Sequence, residues 1–132
     1  MMRHGGCNCG AVRLTISGDP KRFGLCHCLT CRKETGSAFL PSIIWSSGNV
    51  TVDGSTSSWD KRHFCSRCGS PLFHERQSRD EIEVLTGCLD DAPTSLAPDH
   101  EIWTVRREHW LGSVDRTTQH ENDPPWIAKR SA

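Results

Sequence analysis

Apolar residues along this chain recur in short runs with a period of two. Nowhere do they keep a helical period for more than about ten residues. Val12, Leu14 and Ile16 alternate with Arg13, Thr15 and Ser17. That pattern predicts a strand with one buried face, ended by the turn residues Gly18-Asp19-Pro20. Residues 38 to 45 are apolar, rich in β-formers and interrupted by Pro41, which predicts a strand with an edge or a bulge at the proline. Val50-Thr51-Val52 predicts a short strand, and Asp53-Gly54 signals a hairpin after it. Residues 59 to 64 are expected to be extended. Leu72-Phe73-His74 and Ile82-Glu83-Val84-Leu85 predict a pair of strands joined by polar residues 75 to 80. Ile102, Trp103 and Val105 predict another short strand.

The helical expectation is small. Arg32, Lys33 and Glu34 would continue a short helix that Gly36 stops. From residue 116 the chain is polar apart from Pro124-Pro125-Trp126-Ile127. The expected organisation is one domain over 1–115 and a tail over 116–132, draped or disordered. The fold class is mainly β, with short helices and loops.

Composition adds a constraint. The chain has 132 residues, of which 35% are apolar, so its core is thin and wants a staple. Lys plus Arg equals Asp plus Glu at 16 each, and no long run of one sign appears. Nucleic acid and anionic membrane are therefore not expected partners. No apolar run approaches the ~20 residues that span a bilayer. The start, MMRHGGCNCG, lacks the apolar run of a signal peptide. A cytoplasmic protein with reduced thiols is expected.

Seven of the eight cysteines fall in three clusters: Cys7 and Cys9; Cys26, Cys28 and Cys31; Cys65 and Cys68. A C-x-C disulfide would close a small, strained ring. Tetrahedral zinc asks only that its sulfurs sit about 3.8 Å apart, which C-x-C and C-x-x-C turns can supply. Two zinc ions are expected. Spacing alone does not finish the partition. The simplest choice joins Cys7, Cys9, Cys65 and Cys68 around one structural ion, tying two distant parts of the chain together. Cys26, Cys28 and Cys31 then hold a second ion with a replaceable fourth ligand, the catalytic pattern. A fourth protein ligand drawn from His63, His74, Asp90, Asp91 or Cys88 would instead close that site.

His27 lies between two of these cysteines and is expected to point away from the ion. It is either a proton shuttle or a group that orients the turn by bonding to backbone. Arg32 and Lys33 follow Cys31, where they would offset thiolate charge and hold a substrate carboxylate, or simply be solvated. Cys88 is expected to be a buried apolar thiol, with an extra redox group as the alternative. His74, His100 and His109 are expected to be structural or surface residues. Trp45, Trp59, Trp103 and Trp110 are expected to be core and rim aromatics. A rival reading is a non-catalytic zinc module that binds a protein partner. A second rival, a redox pair at Cys65 and Cys68, conflicts with the β pattern on both sides of it.

Gly6-Cys7-Asn8-Cys9-Gly10-Ala11-Val12-Arg13, Cys26-His27-Cys28-Leu29-Thr30-Cys31-Arg32, Gly36-Ser37-Ala38-Phe39 and Phe64-Cys65-Ser66-Arg67-Cys68-Gly69-Ser70-Pro71-Leu72, in that order, resemble the glutathione-dependent formaldehyde-activating enzyme family, which also contains the centromere protein V type. Later landmarks fit as well: Gly87-Cys88-Leu89-Asp90-Asp91, Pro98-Asp99-His100-Glu101-Ile102-Trp103 and Trp110. The resemblance runs over roughly residues 3 to 112 and implies a β-rich fold of tent-like sheets. It also implies a structural zinc at Cys7, Cys9, Cys65 and Cys68, and an active-site zinc at Cys26, Cys28 and Cys31. The implied activity is that of a carbon–sulfur lyase or synthase that joins formaldehyde to glutathione as S-hydroxymethylglutathione, or reverses that step. Its implied partners are a small thiol such as glutathione and a small aldehyde. The stretch between Val52 and Cys65 is short, which leaves less polypeptide to wall in a tripeptide.

Overall fold

The computed structural model describes residues 1–76 and 79–127. Its strands are β1 (Met2–Gly6), β2 (Arg13–Ser17), β3 (Arg22–Cys26), β4 (Leu40–Ser46), β5 (Val50–Asp53), β6 (Thr56–Trp59), β7 (Arg62–Cys65), β8 (Pro71–Arg76), β9 (Glu81–Leu85), β10 (His100–Ile102) and β11 (Thr118–Gln119). The α-helix is α1, Leu29–Thr35. The mainly β class expected from the sequence is what the chain adopts. Two compact units form: Met1–Arg22 with Ile43–Ser95, and Phe23–Ser42 with the chain from Leu96 on. Among the described residues no helix is long and apolar enough to cross a membrane.

In the first unit β2 is the middle of an antiparallel trio, β1-β2-β5. Its alternation does what the pattern requires: Leu14 and Ile16 are buried, and they pair with Val52 and Val50 of β5. Strands β6 to β9 form an antiparallel meander, with Phe73 of β8 opposite Val84 of β9. The expected pair of strands is therefore present; the connection between them includes residues 77 and 78, which lie outside the described residues.

The Asp53-Gly54 hairpin is a correction. β5 pairs with β2, so that turn does not fold β5 onto β6. The hairpin comes later, between Trp59 and Arg62, inside the run expected to be simply extended. Its two central residues, Asp60 and Lys61, both take positive φ (49° and 61°). A two-residue loop matched to the right-handed strand twist needs that conformation.

Buried charge in this unit is paired. Glu81 of β9 accepts from Arg22 (2.6 Å) and Arg79 (3.1 Å). Glu83 accepts from Arg76 (2.9 Å) and lies 3.4 Å from His74. Burial alone would raise both carboxyls, but the adjacent His74 and Arg76 (at Glu83) and Arg22 and Arg79 (at Glu81) hold them below the ordinary range. Trp45 is fully buried, and its indole N–H donates to the Gly18 carbonyl (3.3 Å). Trp59, by contrast, is exposed.

In the second unit the strands run parallel in the order β11-β10-β3, with His100 opposite Gly24 and Ile102 opposite Cys26. β10 stops at Ile102 because Trp103 turns left-handed (φ 56°) into a 3-10 turn, so the expected strand does not reach Val105. The Trp103 ring is buried and donates to Asp123 (2.8 Å), whereas Trp110 is exposed. α1 begins at Cys28, whose sulfur accepts the Cys31 N–H, and ends at Gly36 in the left-handed region, as its sequence expects. Residues 118–122 hydrogen-bond to residues 99–104: Thr118 N–H to Asp99, His120 N–H to Glu101, and Trp103 N–H to Asn122. Residues 128–132 of the expected tail lie outside the described residues.

Gly24 leaves room for His100. A Cβ there would lie against His100 Nε2 and 2.6 Å from Cε1. The ring has little freedom to yield, since it bonds Asp99 and packs edge-on to Trp126 at 5.1 Å. Gly24→Ala is expected to destabilise the chain by about 1–3 kcal/mol, read as a lower denaturant midpoint with an unchanged slope.

Candidate metal centres

The four-cysteine group belongs to the first unit. β1 delivers Cys7 to a tight turn in which Cys7 N–H bonds Val12 O (3.1 Å) and Gly10 N–H bonds Cys7 O (3.2 Å). β7 delivers Cys65 to a matching turn, closed by Gly69 N–H to Cys65 O (2.9 Å). Gly69 takes φ 80° there, a conformation that costs other residues strain. Backbone donors converge on the sulfurs. Val12 N–H points at Cys7 Sγ (3.2 Å), and Arg67 and Cys68 N–H point at Cys65 Sγ (3.3 and 3.4 Å). Cys9 Sγ lies 3.6 Å from Cys7 Sγ and 3.8 Å from Cys65 Sγ, and all four sulfurs fall within 4.8 Å of one another.

An ion with metal–sulfur bonds of about 2.3 Å needs a tetrahedral edge near 3.8 Å, so the group fits a metal ion and is compatible with zinc. The inward N–H groups are the outer partners that thiolate ligands require. No disulfide joins any of the cysteines. Cys7 and Cys65 are buried, whereas Cys9 and Cys68 are exposed. The Ser70 hydroxyl and backbone bring the Cys68 thiol down to about 5. The Ala11 N–H pulls Cys9 down, but loss of solvent and the neighbouring thiols push it to about 11. Four adjacent thiols cannot all ionise by themselves, and a bound cation removes that conflict. Ser70 was not expected at this site. Its Oγ accepts the Asn8 N–H (3.1 Å) and lies 3.2 Å from Cys68 Sγ, linking the two turns.

The three-cysteine group belongs to the second unit. Cys26 ends β3, Cys28 caps α1, and Cys31 lies in the first turn of α1. Their sulfurs also fall within 4.8 Å of one another, and all three are buried. Hydrogen bonds from Cys28 and Cys31, together with burial, hold the Cys26 thiol far above its ordinary value. A cation would relieve this cluster too.

Among the described residues no fourth Cys, His, Asp or Glu atom joins the group. The expected candidates for closing it are engaged within the first unit. His63 bonds Thr56 (3.0 Å) and Glu75 (3.1 Å), His74 faces Glu83, and Asp90 pairs with Arg13. Asp91 lines a cavity beside Arg3 and His4. Cys88 is buried, lies 3.5 Å from the Leu72 carbonyl, and is pushed up to about 12 by burial.

His27 is buried and does not join the sulfur group. Its ring bonds a carboxylate, Glu101 Oε1 at 2.8 Å, and not the backbone group that the turn-orienting alternative required. Nδ1 has no hydrogen-bond partner among the described residues. The Arg32 guanidinium donates to Arg106 O (2.9 Å) and Glu108 (2.6 Å). Lys33 is exposed. Glu101 is the residue sequence reasoning passed over. The available signal was a charge in the middle of a short strand otherwise destined for burial, His100-Glu101-Ile102.

A family model described as glutathione-dependent formaldehyde-activating enzyme matches residues 2–106. A Halomonas elongata protein named as a putative glutathione-dependent formaldehyde-activating enzyme is 36% identical over 88 residues, 55% of each chain. An uncharacterized lyase of Schizosaccharomyces pombe is 30% identical over 74 residues, 52% of this chain and 54% of that one. The chain thus spans about half the length of the curated relatives it matches. A solved Rhodobacter sphaeroides structure shares the fold, with a TM-score of 0.54 at 21% identity over 72% of this chain and 97% of that one. The family match takes in all seven clustered cysteines, from β1 to the turn after β10. On that match the chain belongs to the glutathione-dependent formaldehyde-activating enzyme family.

Proposed function

We propose that the chain is a zinc-dependent enzyme that makes or breaks a carbon–sulfur bond in the adduct of a small thiol, such as glutathione, and a small aldehyde, such as formaldehyde. What supports this most is the contrast between the two cysteine groups, four sulfurs in one and three in the other. All-sulfur sites of this spacing suit zinc. Cys7, Cys9, Cys65 and Cys68 are assigned to a structural ion. Cys26, Cys28 and Cys31 are assigned to a second ion and leave one tetrahedral position to an exogenous ligand. When bound there, zinc supplies Lewis acidity, which makes a thiol more acidic and polarises a carbonyl.

The reaction forms one carbon–sulfur bond; sulfur gives up a proton and the carbonyl oxygen gains one. The reverse breaks that bond. His27 is assigned to the proton. With Nε2 committed to Glu101, Nδ1 is the ring atom left to hold or pass it. Arg32 is paired with Glu108 and adds no net charge, so its role is to hold residues 106–108 to α1. Lys33 is the adjacent cation for a substrate carboxylate. The chemistry needs reduced thiols, hence a reducing compartment such as the cytoplasm.

The test is metal content by native mass spectrometry on protein purified without chelator, followed by titration with glutathione. Two zinc ions are expected, with one perturbed by added thiol. Two ions indifferent to every small thiol would sink the enzymatic reading and leave a scaffold for a protein partner.

A further inference from the structure

Glu101 is a carboxylate at 1% exposure inside β10. Removing such a group from water is costly unless its lone pairs are met. Here they are met from two directions. Oε1 faces His27 Nε2 at 2.8 Å. Oε2 accepts the Val114 N–H (2.8 Å) and the Gln119 amide (3.1 Å), with the Arg107 guanidinium 3.4 Å away. Burial alone would raise this carboxyl; the His27 ring, the Val114 N–H, the Gln119 amide and the Arg107 charge bring it below the ordinary range.

The donors to Oε2 share one origin. Arg107, Val114 and Gln119 all follow residue 106, where the family match ends. β11 sets Gln119 opposite Glu101 in register. The segment is braced internally as well. Thr117 Oγ1 donates to Val114 O (2.6 Å) and accepts from Gln119 Nε2 (2.7 Å), and Gln119 Oε1 accepts from Arg107. On the other side, an ionised carboxylate can only accept, so a 2.8 Å contact requires the proton on His27 Nε2. Nδ1 is buried and has no hydrogen-bond partner among the described residues.

We propose that residues 107–119 are a working part of the three-cysteine site: Arg107, Val114 and Gln119 clamp one oxygen of Glu101 so that the other holds the His27 ring by its Nε2–H, leaving Nδ1 as the ring nitrogen not engaged by Glu101. Glu101 and Gln119 are positioning residues. The use of Nδ1 in turnover rests on the carbon–sulfur reading above; the tautomer does not.

Glu101→Gln makes a sharp test. On the side facing residues 107–119 the Val114 N–H and the Arg107 guanidinium can only donate, so the amide oxygen is expected to turn there and the amide NH2 to face His27. Nε2 then becomes an acceptor and the ring proton moves to Nδ1. The experiment is long-range 1H–15N correlation of the histidine rings in the zinc-loaded 132-residue chain at about pH 8.5, where an ordinary imidazole is neutral. The expected result is Nε2–H at His27 in the wild type and Nδ1–H in Glu101→Gln. Gln119→Leu, at an exposed position, keeps the proposal testable if the first variant fails to fold. It is expected to mix the two tautomers and to lower turnover of the thiol–aldehyde adduct about tenfold with the KM for thiol unchanged. A wild type with Nδ1–H, or a Gln119→Leu protein with wild-type ring signals and turnover, overturns the clamp. A wild type that turns over no adduct, yet whose tautomer inverts in Glu101→Gln, supports the clamp and removes the carbon–sulfur reading alone.

Discussion

Cys65→Ser is expected to cost the protein its first unit before it costs any chemistry. Cys65 is buried at the end of β7, and its sulfur gathers two backbone N–H groups while lying 3.8 Å from Cys9 Sγ, 56 residues away in sequence. The sulfur group therefore links the turn after β1 to the turn after β7. Binding of structural zinc by small domains amounts to roughly 10–16 kcal/mol at neutral pH, as much as the whole stability of an ordinary domain. A serine hydroxyl is a poor substitute for a thiolate, and three sulfurs hold the ion far less firmly than four. A loss of at least about 4 kcal/mol follows, or on the order of 12–20 °C in melting temperature for a chain of this size. Circular dichroism melting with metal analysis on the same samples reads both quantities. A variant that lost one ion per chain and still melted like the wild type would show that the β-sheets hold without the staple.

Local pattern revealed some elements and hid others for identifiable reasons. β2 was legible because one face is buried and the other is not, and β8 and β9 because their apolar cores are flanked by polar residues. β3 was not legible. Four of its five residues are buried, so no alternation exists, and Gly24 reads as a breaker although it makes room for the His100 ring. β1 carries Gly5-Gly6 and little apolar character; its pairing with β2 defines it, and pairing between strands is a long-range property. The Asp60-Lys61 hairpin lacks the glycine that normally signals two positive φ values, whereas Asp53-Gly54 has the signal and no β5–β6 pairing to serve. The sulfur groups were legible because cysteine spacing constrains the ion more tightly than apolar pattern constrains a strand. Glu101 was hidden because its partners, His27 and residues 107–119, meet only once β3, β10 and β11 lie in register.

The same atom change should have the opposite outcome at the second sulfur group. Cys28 has no exposed surface and caps α1, its side chain accepting the Cys31 N–H. Serine is among the preferred residues at a helix N-cap, so Cys28→Ser removes a sulfur while keeping the cap. The helix is only seven residues long, and the four-cysteine group lies in the other unit, so the melting temperature should change little. The ion held by the three sulfurs is the one assigned to chemistry, and a Lewis acid contributes several kcal/mol to a transition state. At 1.36 kcal/mol per factor of ten, losing about 4 kcal/mol lowers turnover of the thiol–aldehyde adduct about a thousandfold. Magnetisation-exchange NMR of glutathione with formaldehyde measures that rate, and native mass spectrometry should count one zinc fewer than in the wild type, for which two are proposed. Cys65→Ser and Cys28→Ser thus separate the two ions by phenotype, one losing the fold and the other losing the rate. A Cys28→Ser protein that kept its turnover would move the chemistry away from Cys26, Cys28 and Cys31. One that melted as early as Cys65→Ser would make both sulfur groups structural.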